Sequence, residues 1–182
     1  MKISELYEIR PVKQADLARI LEILNASILS SPANFHWLPR PPSELQDEWK
    51  NAVGKYPWLV MVERKGGAAI GFAKAGEFRV RQAYAWTVEV TIYMGVGAQG
   101  RGCGEMLYRA LLEQLTDAGY HLAVGAITLP NPASESLHRK LGFEPAGVLP
   151  EVGWKSEAWH DVAFWAKRLG EGPADARILS AS

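Results

Sequence analysis

Five glycines fall within the ten residues GVGAQGRGCG at positions 95–104. Glycine lets a ligand come close to the backbone, and the free N–H groups at the start of a helix attract phosphate. A strand-like apolar run precedes the stretch and a helical pattern follows it, which is the context of a phosphate-binding loop. Two motifs overlap here: G-x-G-x-x-G from Gly95, typical of dinucleotide sites, and Q-x-x-G-x-G from Gln99.

The surroundings of the glycines separate these two motifs. A dinucleotide fold has a wholly apolar strand before the glycines and an acidic residue about 20 positions after them. Here the preceding run carries Glu89, and the next strand-like run ends at Leu129 without an acidic residue. The Gly-Lys-Ser/Thr of a nucleotide-binding P-loop is also missing. The motif from Gln99 is therefore the better interpretation, and a glycine-rich turn without a ligand is the alternative.

Polar side chains share one face of the run YAWTVEVTIYMGV at residues 84–96. Its apolar side chains alternate without exception, so Thr87, Glu89, Thr91 and Tyr93 fall on the opposite face. A carboxylate on a strand in the middle of a sheet is a candidate general base. We therefore predict that Glu89 is catalytic. A solvated polar face on an edge strand is the alternative.

Two arginines precede this run in FRVRQAY. In an extended segment Arg79 and Arg81 point the same way, and two guanidinium groups bind a carboxylate or a similar oxyanion through paired hydrogen bonds. Phe35 and Tyr84 are candidate walls of the same pocket. The alternative for the arginines is a solvated basic hairpin.

Two separate segments resemble one enzyme superfamily. Residues 99–104, QGRGCG, resemble the pyrophosphate loop of the GNAT superfamily of N-acetyltransferases. Residues 129–143, LPNPASESLHRKLGF, resemble its second signature, in which an asparagine precedes a short helix that ends in Leu-Gly-Phe. The resemblance implies acetyl-CoA as cosubstrate and an amine as acceptor.

Four further segments narrow the resemblance to one family. They are YPWLV at 56–60, AYAWTVEVTIY at 83–93, LPN at 129–131 and WHDVAFW at 159–165. Over roughly residues 7–168 the chain is similar to phosphinothricin acetyltransferases, which acetylate the α-amine of phosphinothricin, methionine sulfoximine and methionine sulfone. The loop at 36–40 departs from that family. A different amine acceptor, such as a protein N-terminus or a polyamine, and a non-catalytic acetyl-CoA-binding module stay open as alternatives.

The resemblance also implies roles for single residues. Glu89 matches a catalytic glutamate, and His138 stands where many members have a tyrosine, so it is either the general acid or a hydrogen-bonding or structural residue near the site. Direct transfer in a ternary complex follows, because no base stands beside Cys103. The residues expected to bind acetyl-CoA are Met94, Gly95, Val96, Gln99, Gly100, Arg101, Gly102, Cys103, Gly104, Tyr108 and Asn131. For Tyr108 a role in core packing is equally open.

Hydrophobic periodicity places these motifs on elements. Apolar spacing predicts helices at 14–30, 43–53, 104–119 and 131–142. Strand patterns predict a hairpin of 58–63 and 68–75, the long run at 84–96, and strands at 120–129 and 159–169. Together with the resemblance, the predicted fold is α/β (α+β) of the GNAT type. It has a mixed, mostly antiparallel central sheet flanked by helices on both faces.

Composition excludes several classes of partner. Lys plus Arg and Asp plus Glu both total 20, so no net charge favours nucleic acid or an acidic membrane surface. One cysteine and four scattered histidines show no metal-binding spacing, so we predict no metal. Without a signal-peptide pattern or a long apolar run, we expect a cytoplasmic protein. We expect one domain at 1–168 and a loosely ordered tail at 169–182, and the family resemblance implies a homodimer.

Overall fold

The computed structural model describes residues 3–172. Its helices and strands begin and end near prolines and glycines of the sequence. The helices are α1 (Ile3–Leu6), α2 (Leu17–Ser30), α3 (Pro42–Ala52), α4 (Cys103–Asp117) and α5 (Pro132–Lys140). The strands are β1 (Tyr7–Pro11), β2 (Trp58–Glu63), β3 (Ala69–Glu77), β4 (Thr87–Met94), β5 (Leu122–Thr128), β6 (Glu144–Lys155) and β7 (Ala158–Arg168). Proline opens both α3 and α5, because the first helical position needs no N–H donor.

The strands form one seven-stranded sheet in the order β1-β2-β3-β4-β5-β7-β6. Neighbouring strands are antiparallel except for β4 and β5, which run parallel. The parallel pairing is short, and its last paired residues are Glu89 and Val124. Beyond them the two strands part, although β4 continues to Met94 and β5 to Thr128. This architecture confirms the predicted mixed, mostly antiparallel sheet.

Helices cover both faces of the sheet, as predicted. On one face, Val88 and Val90 of β4 join a buried cluster with Leu107 and Leu111 of α4. On the other face, Phe72 of β3 belongs to a cluster built with α2 and α3. Because successive side chains of a strand point to opposite faces, the polar side chains of β4 lie on the α2 and α3 face. The sheet thus separates the helix that follows the glycines from the face that carries Glu89.

Lys155, the last residue of β6, fixes the end of α2. Its buried amine donates hydrogen bonds to the carbonyl oxygens of Ile28, Ser31 and Asn34 at 2.6, 3.1 and 2.5 Å. A cation is favourable beside the free carbonyl groups at the C-terminus of a helix. Burial lowers the pKa of Lys155. The contact ties the last hairpin of the sheet to the loop that follows α2.

The long strand is shorter than predicted, and two strands were not predicted. Residues 82–84 form a 3-10 turn rather than strand, because β3 ends at Glu77, opposite Val88, and leaves no partner for the residues before β4. At the other end, β4 stops before the glycines. Neither β1 nor β6 was predicted, because β1 is only five residues long and β6 shows no alternation of apolar and polar residues.

Part of the predicted tail is described. Leu169 donates its N–H to the carbonyl of His121 at 2.8 Å, and the carbonyl of Gly170 lies 2.7 Å from Nδ1 of the same histidine. Residues 173–182 lie outside the described part of the chain.

Between residues 3 and 172, no helix has the length and apolar character needed to cross a membrane. Within the same range no cluster of three His, Cys, Asp or Glu side chains is placed to hold a metal ion.

Candidate functional site

The gap between β4 and β5 is the centre of the candidate site. Past Glu89, the edge of β4 that faces β5 has no strand partner within the described residues. An extended ligand with amide groups would pair with such an edge as an added strand does. Met94 ends β4 at this gap, and Gly95 is fixed by its N–H donating to Ile70 at 2.8 Å. Val96, the next residue, is almost fully exposed, so the gap opens directly onto the glycine-rich turn.

The glycine-rich turn ends in the first turn of α4. Gly102 is the N-cap of this helix with φ of 78°, a left-handed conformation that favours glycine, and no side chain caps the helix. The first N–H groups of a helix have no acceptor within it, so those of Cys103, Gly104 and Glu105 are available to an anion. Gln99, Gly100 and Arg101 are exposed beside them.

The thiol of Cys103 is turned away from this surface. The side chain is buried, and burial raises the pKa of the thiol. A buried neutral thiol is a poor nucleophile. Cys103 can therefore contribute its backbone N–H to an anion site.

Glu89 borders a cavity of about 490 Å³ on the opposite face of the sheet. Glu89 and Thr91 contribute from β4, Lys74 and Gly76 from β3, Trp58 from β2, and α3 supplies Glu48. Cavities that bind small molecules typically measure about 300 to 1,000 Å³. The carboxylate of Glu89 therefore lies at the point where β4 and β5 part and also borders a cavity large enough for an amino acid.

A chain of charges lies in this cavity. Glu48 pairs with Lys74 through one carboxylate oxygen, and Arg40 binds the other oxygen at 2.7 Å. Burial alone would raise the pKa of Glu48, but the two cations outweigh it and lower the pKa. The amine of Lys74 also lies 4.7 Å from the centre of the Trp58 ring, a cation-π contact. The carboxylate of Glu48 therefore stays charged at neutral pH.

Tyr108 and His138 form a buried pair on the α4 face. Nδ1 of His138 lies 2.8 Å from the carbonyl of Ser134, which can only accept, so Nδ1 carries the proton. Nε2, 3.1 Å from the hydroxyl of Tyr108, is then the acceptor of that O–H group. Burial lowers the pKa of His138, and burial together with Glu89 raises the pKa of Tyr108. Tyr108 exposes none of its surface, so its place matches the core-packing alternative.

Asn131 caps α5. Its side-chain oxygen accepts the N–H of Ser134 at 3.1 Å, which satisfies one of the free donors at the start of the helix. The amide nitrogen of Asn131 has no hydrogen-bond acceptor in the part of the chain that the structure describes. Asn131 follows β5 closely, beyond the gap between β4 and β5. Its free amide is therefore a candidate donor to a ligand in that gap.

The four residues predicted to bind substrate are not gathered in the cavity. Arg79 stacks on Phe78 and donates to its carbonyl at 2.9 Å, and Arg81 is exposed before the 3-10 turn. Tyr84 is exposed and meets Phe78 edge-on. Phe35 packs on the last hairpin, where a Cβ on Gly153 would lie 2.3 Å from its ring. None of the four is among the residues that line the cavity.

Three residues that line the cavity were not predicted from the sequence: Glu48, Lys74 and Trp58. One signal pointed to Lys74, because it interrupts the apolar run AIGFAKAG of β3. A lysine in the middle of a central strand is expected to find a partner or a ligand, since burying a charge without one is costly. Glu48 carried no such signal, because acidic residues are common on the exposed face of a helix.

Comparison with known proteins identifies the family of this chain. A family model described as an acetyltransferase (GNAT) domain matches residues 7–144, a range that holds Glu89, the glycine-rich turn and His138. The chain belongs to the GNAT acetyltransferase family. As a GNAT acetyltransferase it is an acetyl-CoA-dependent N-acetyltransferase, which confirms the resemblance found in the sequence.

Individual relatives of this GNAT acetyltransferase are similar over nearly the whole chain. A phosphinothricin N-acetyltransferase of Streptomyces viridochromogenes is 40% identical over 170 residues, which cover 93% of this chain and 91% of that protein. An L-methionine sulfoximine/L-methionine sulfone acetyltransferase of Pseudomonas paraeruginosa is 36% identical over 88% of this chain and 94% of that protein. The solved structure of a GNAT superfamily phosphinothricin acetyltransferase from Sinorhizobium meliloti, in complex with AcCoA, superimposes with a TM-score of 0.88. It is 36% identical and covers 93% of this chain and 92% of that one.

Proposed function

We propose that this enzyme acetylates the α-amine of a glutamate-like amino acid in the cytoplasm, with methionine sulfoximine, methionine sulfone and phosphinothricin as the substrate class. The observation that carries the proposal is the position of Glu89, which lies where β4 and β5 part and borders a cavity on the face opposite α4. Acetyl-CoA and amine can then approach the gap from different sides of the sheet. The names of the relatives support the substrate class.

In this proposal Glu89 is the general base. An amino acid's ammonium group must lose a proton before its nitrogen can attack, and a carboxylate at the gap can take that proton. The nitrogen then forms a bond to the carbonyl carbon of the thioester, the carbon–sulfur bond breaks, and coenzyme A leaves as a thiolate that takes up a proton. Transfer is direct, because Cys103 is buried with a raised pKa.

The proposed role of His138 is to position Tyr108. A neutral imidazole whose only N–H is bound to Ser134 has no proton to give to the departing thiolate. Its free nitrogen instead accepts the hydroxyl of Tyr108 and fixes that ring beneath the gap. This favours a hydrogen-bonding or structural role near the site over the role of general acid, all of which the sequence left open.

The acetyl-CoA site in this proposal combines backbone and side-chain groups. The first N–H groups of α4 and the exposed turn from Gln99 would hold the pyrophosphate, since free helix N–H groups bind anions. The unpaired edge at Met94, Gly95 and Val96 would pair with the pantetheine amides, and Asn131 offers its free amide. The left-handed glycine cap fits the close approach of a phosphate, because it carries no Cβ.

Arg79 and Arg81 remain the proposed partners of the substrate's α-carboxylate. The segment that carries them leaves β3 at Glu77, which borders the cavity one residue beyond the pair of Gly76 and Glu89. An α-carboxylate is bonded to the same carbon as the amine, so it must lie near Glu89 as well. Tyr84 and Phe35 are the proposed walls on this side.

The activity test is thiol release from acetyl-CoA across a panel of amines. We expect methionine sulfone, methionine sulfoximine and phosphinothricin to be acetylated, and their decarboxylated amines, polyamines and peptide N-termini to be poor acceptors. Glu89→Gln should keep the fold and the affinity for coenzyme A while lowering kcat by roughly 100-fold or more near neutral pH, the usual scale for a lost general base.

Three results would contradict this proposal in different ways. Preference for a polyamine or a peptide N-terminus would replace the acceptor and leave the acetyl transfer intact. Tight binding of acetyl-CoA without turnover of any amine would indicate a non-catalytic module. Wild-type kcat in Glu89→Gln, with an unchanged pH profile, would return Glu89 to a polar face residue.

We also propose that the enzyme is a homodimer that buries the outer strand of the sheet. β6 is an edge strand of twelve residues, and its apolar side chains Val148, Leu149, Val152 and Trp154 are 44–53% exposed. Trp159 of β7 meets Trp154 edge-on and is also exposed. Exposed edge strands and contiguous apolar patches are characteristic of protein interfaces.

A further inference from the structure

The cavity beside Glu89 extends along β3 and β4 to a second charged group. The strand register pairs Gly76 with Glu89 and Lys74 with Thr91, and all four line the same cavity. Two residues along a strand span about 7 Å, which separates the level of Lys74 from that of Glu89. A Cβ on Gly76 would meet no heavy atom within 4 Å, so the floor opposite Glu89 is open.

The amine of Lys74 has protein contacts on one side and free N–H donors on the other. Glu48 accepts one hydrogen bond from its amine, and Arg40 keeps that carboxylate in place. The Trp58 ring packs against the same amine. An ammonium has three donors, and the described residues offer Lys74 no second acceptor. Its remaining donors are therefore available to a ligand in the cavity.

The distance between Glu89 and Lys74 decides which part of a substrate each one meets. When the amine lies at Glu89, the α-carboxylate lies beside it, and only the far end of the side chain reaches the level of Lys74. We propose that Lys74 binds the oxygen atoms at the side-chain end of the amino acid and so determines specificity for a polar end. Sulfone, sulfoximine and carboxylate oxygens are suitable acceptors. The inference rests on the proposed function and names a specificity residue for it.

The ammonium of Lys74 makes binding of an apolar substrate side chain at this end of the cavity unfavourable. A thioether or alkyl group at this place would cover the N–H groups of Lys74 without offering an acceptor, and an unpaired donor removed from water is costly. A sulfone oxygen replaces the lost water with a charge-assisted hydrogen bond. Glu48 and Arg40 keep the amine in position in both cases.

The test compares methionine sulfone with methionine, which lacks the two sulfone oxygens. Lys74→Met removes the ammonium and keeps an apolar stem over Trp58, whereas Lys74→Arg keeps the charge. Lys50→Met, on the exposed side of α3, makes the same charge change outside the cavity. We expect the ratio of kcat/KM for sulfone over methionine to fall roughly tenfold or more in Lys74→Met. Lys74→Arg should keep most of the ratio, and Lys50→Met all of it.

A second variant tests the cavity without touching the charges. Gly76→Val places a side chain in the open space opposite Glu89, so kcat/KM should fall for both amino acids while the ratio and the coenzyme A affinity stay unchanged. Full activity in Gly76→Val, or equal losses for both amino acids in Lys74→Met, would overturn the inference and leave the acetyltransferase activity standing. A wild-type enzyme that acetylates neither amino acid would overturn the proposed substrate class, and the role of Lys74 with it.

Discussion

The imidazole ring of His138 is held by contacts with several elements near the site. His138 packs against Phe143 with ring centroids 4.8 Å apart and meets Tyr108 edge-on. Gly125 of β5 leaves the space for it, because a Cβ there would lie 2.5 Å from Nε2. The ring is thus fixed in one tautomer by contacts from α4, α5 and β5.

This ring predicts a pH dependence of stability. Burial lowers the pKa of His138 below its ordinary value of 6.5, so the unfolded chain takes up this proton at a higher pH than the folded protein. The stability is intact above pH 6.5 and is lost as the pH falls toward the folded pKa. We expect urea unfolding between pH 8 and 5 to show this loss in the wild type and not in His138→Gln.

His36→Gln is the matched control for this measurement. The side chain of His36 is exposed, so this variant should keep the pH dependence of the wild type. Parallel pH profiles for the wild type and His138→Gln would contradict the assignment of this loss to the buried ring.

At the scale of elements, the turn from Gly95 to Gly102 joins a strand to a helix and leaves the helix start uncapped. Gly104, in the first turn of α4, lies near Met94, and a Cβ there would meet its side chain at an ordinary distance of 3.5 Å. The fold therefore tolerates an alanine at this position. In the proposed acetyl-CoA site, a phosphate on the N–H groups of α4 leaves no room for a larger side chain.

Gly104→Val should separate binding from folding. We expect the affinity for coenzyme A to fall roughly tenfold or more, because the branched side chain occupies the approach to the free N–H groups. Gly104→Ala is the control, and it should raise the stability of α4 by about 0.5–1 kcal/mol while weakening binding less. Calorimetric titration and thermal unfolding measure the two effects. An unchanged affinity in Gly104→Val would remove the start of α4 from the cofactor site.

The elements that the sequence predicted well are those with a local cause. The apolar stripe of α2 and the proline starts of α3 and α5 place these helices within a few residues of their observed bounds. β6 was missed because its sequence EPAGVLPEVGWK contains prolines and glycines, and its pairing with β7 shifts register twice. Only the hairpin partner makes this segment a strand.

The same distinction holds for the site. The glycine-rich turn is contiguous in the sequence, so spacing alone predicted it. The alternation of β4 predicted that Glu89 lies on the face opposite the apolar side chains of the strand. The pairing of Lys74 with Glu48 joins residues 26 positions apart across two elements, and no periodicity reports such a contact. The expectation that Arg79 and Arg81 point the same way assumed an extended segment, whereas the residues between β3 and β4 include a 3-10 turn at Gln82–Tyr84.

At the scale of the whole molecule, the sheet is covered on its faces and open at the β6 edge. The exposed apolar residues of β6 lie at the opposite edge of the sheet from β1, and Leu149 and Val152 lie near the middle of this strand. A stable protein interface buries about 800 Å² on each partner, and the twelve-residue β6, with Trp154 and the neighbouring Trp159 of β7, can supply the centre of one.

The proposed homodimer predicts a measurable mass. Light scattering after size exclusion should give twice the 20.1 kDa of the chain. Leu149→Asp should shift the mass to that of a monomer, because a charge buried at the interface centre lacks a partner. Val53→Lys, at an exposed apolar residue outside the β6 edge, should leave the dimer intact. A wild-type monomer at micromolar concentration would contradict the proposal.

The contact between Lys155 and the end of α2 has a consequence for how the protein is made. The chain is synthesised from its N-terminus, so α2 and its loop leave the ribosome long before the lysine that fixes them. The amine reaches Ile28 from 127 residues further along the chain. Until that late residue emerges, the carbonyl groups of Ile28, Ser31 and Asn34 lack this charged donor. A nascent chain halted before β6 is complete therefore carries the glycine-rich turn and Glu89 but lacks the three hydrogen bonds from Lys155 to α2 and its loop.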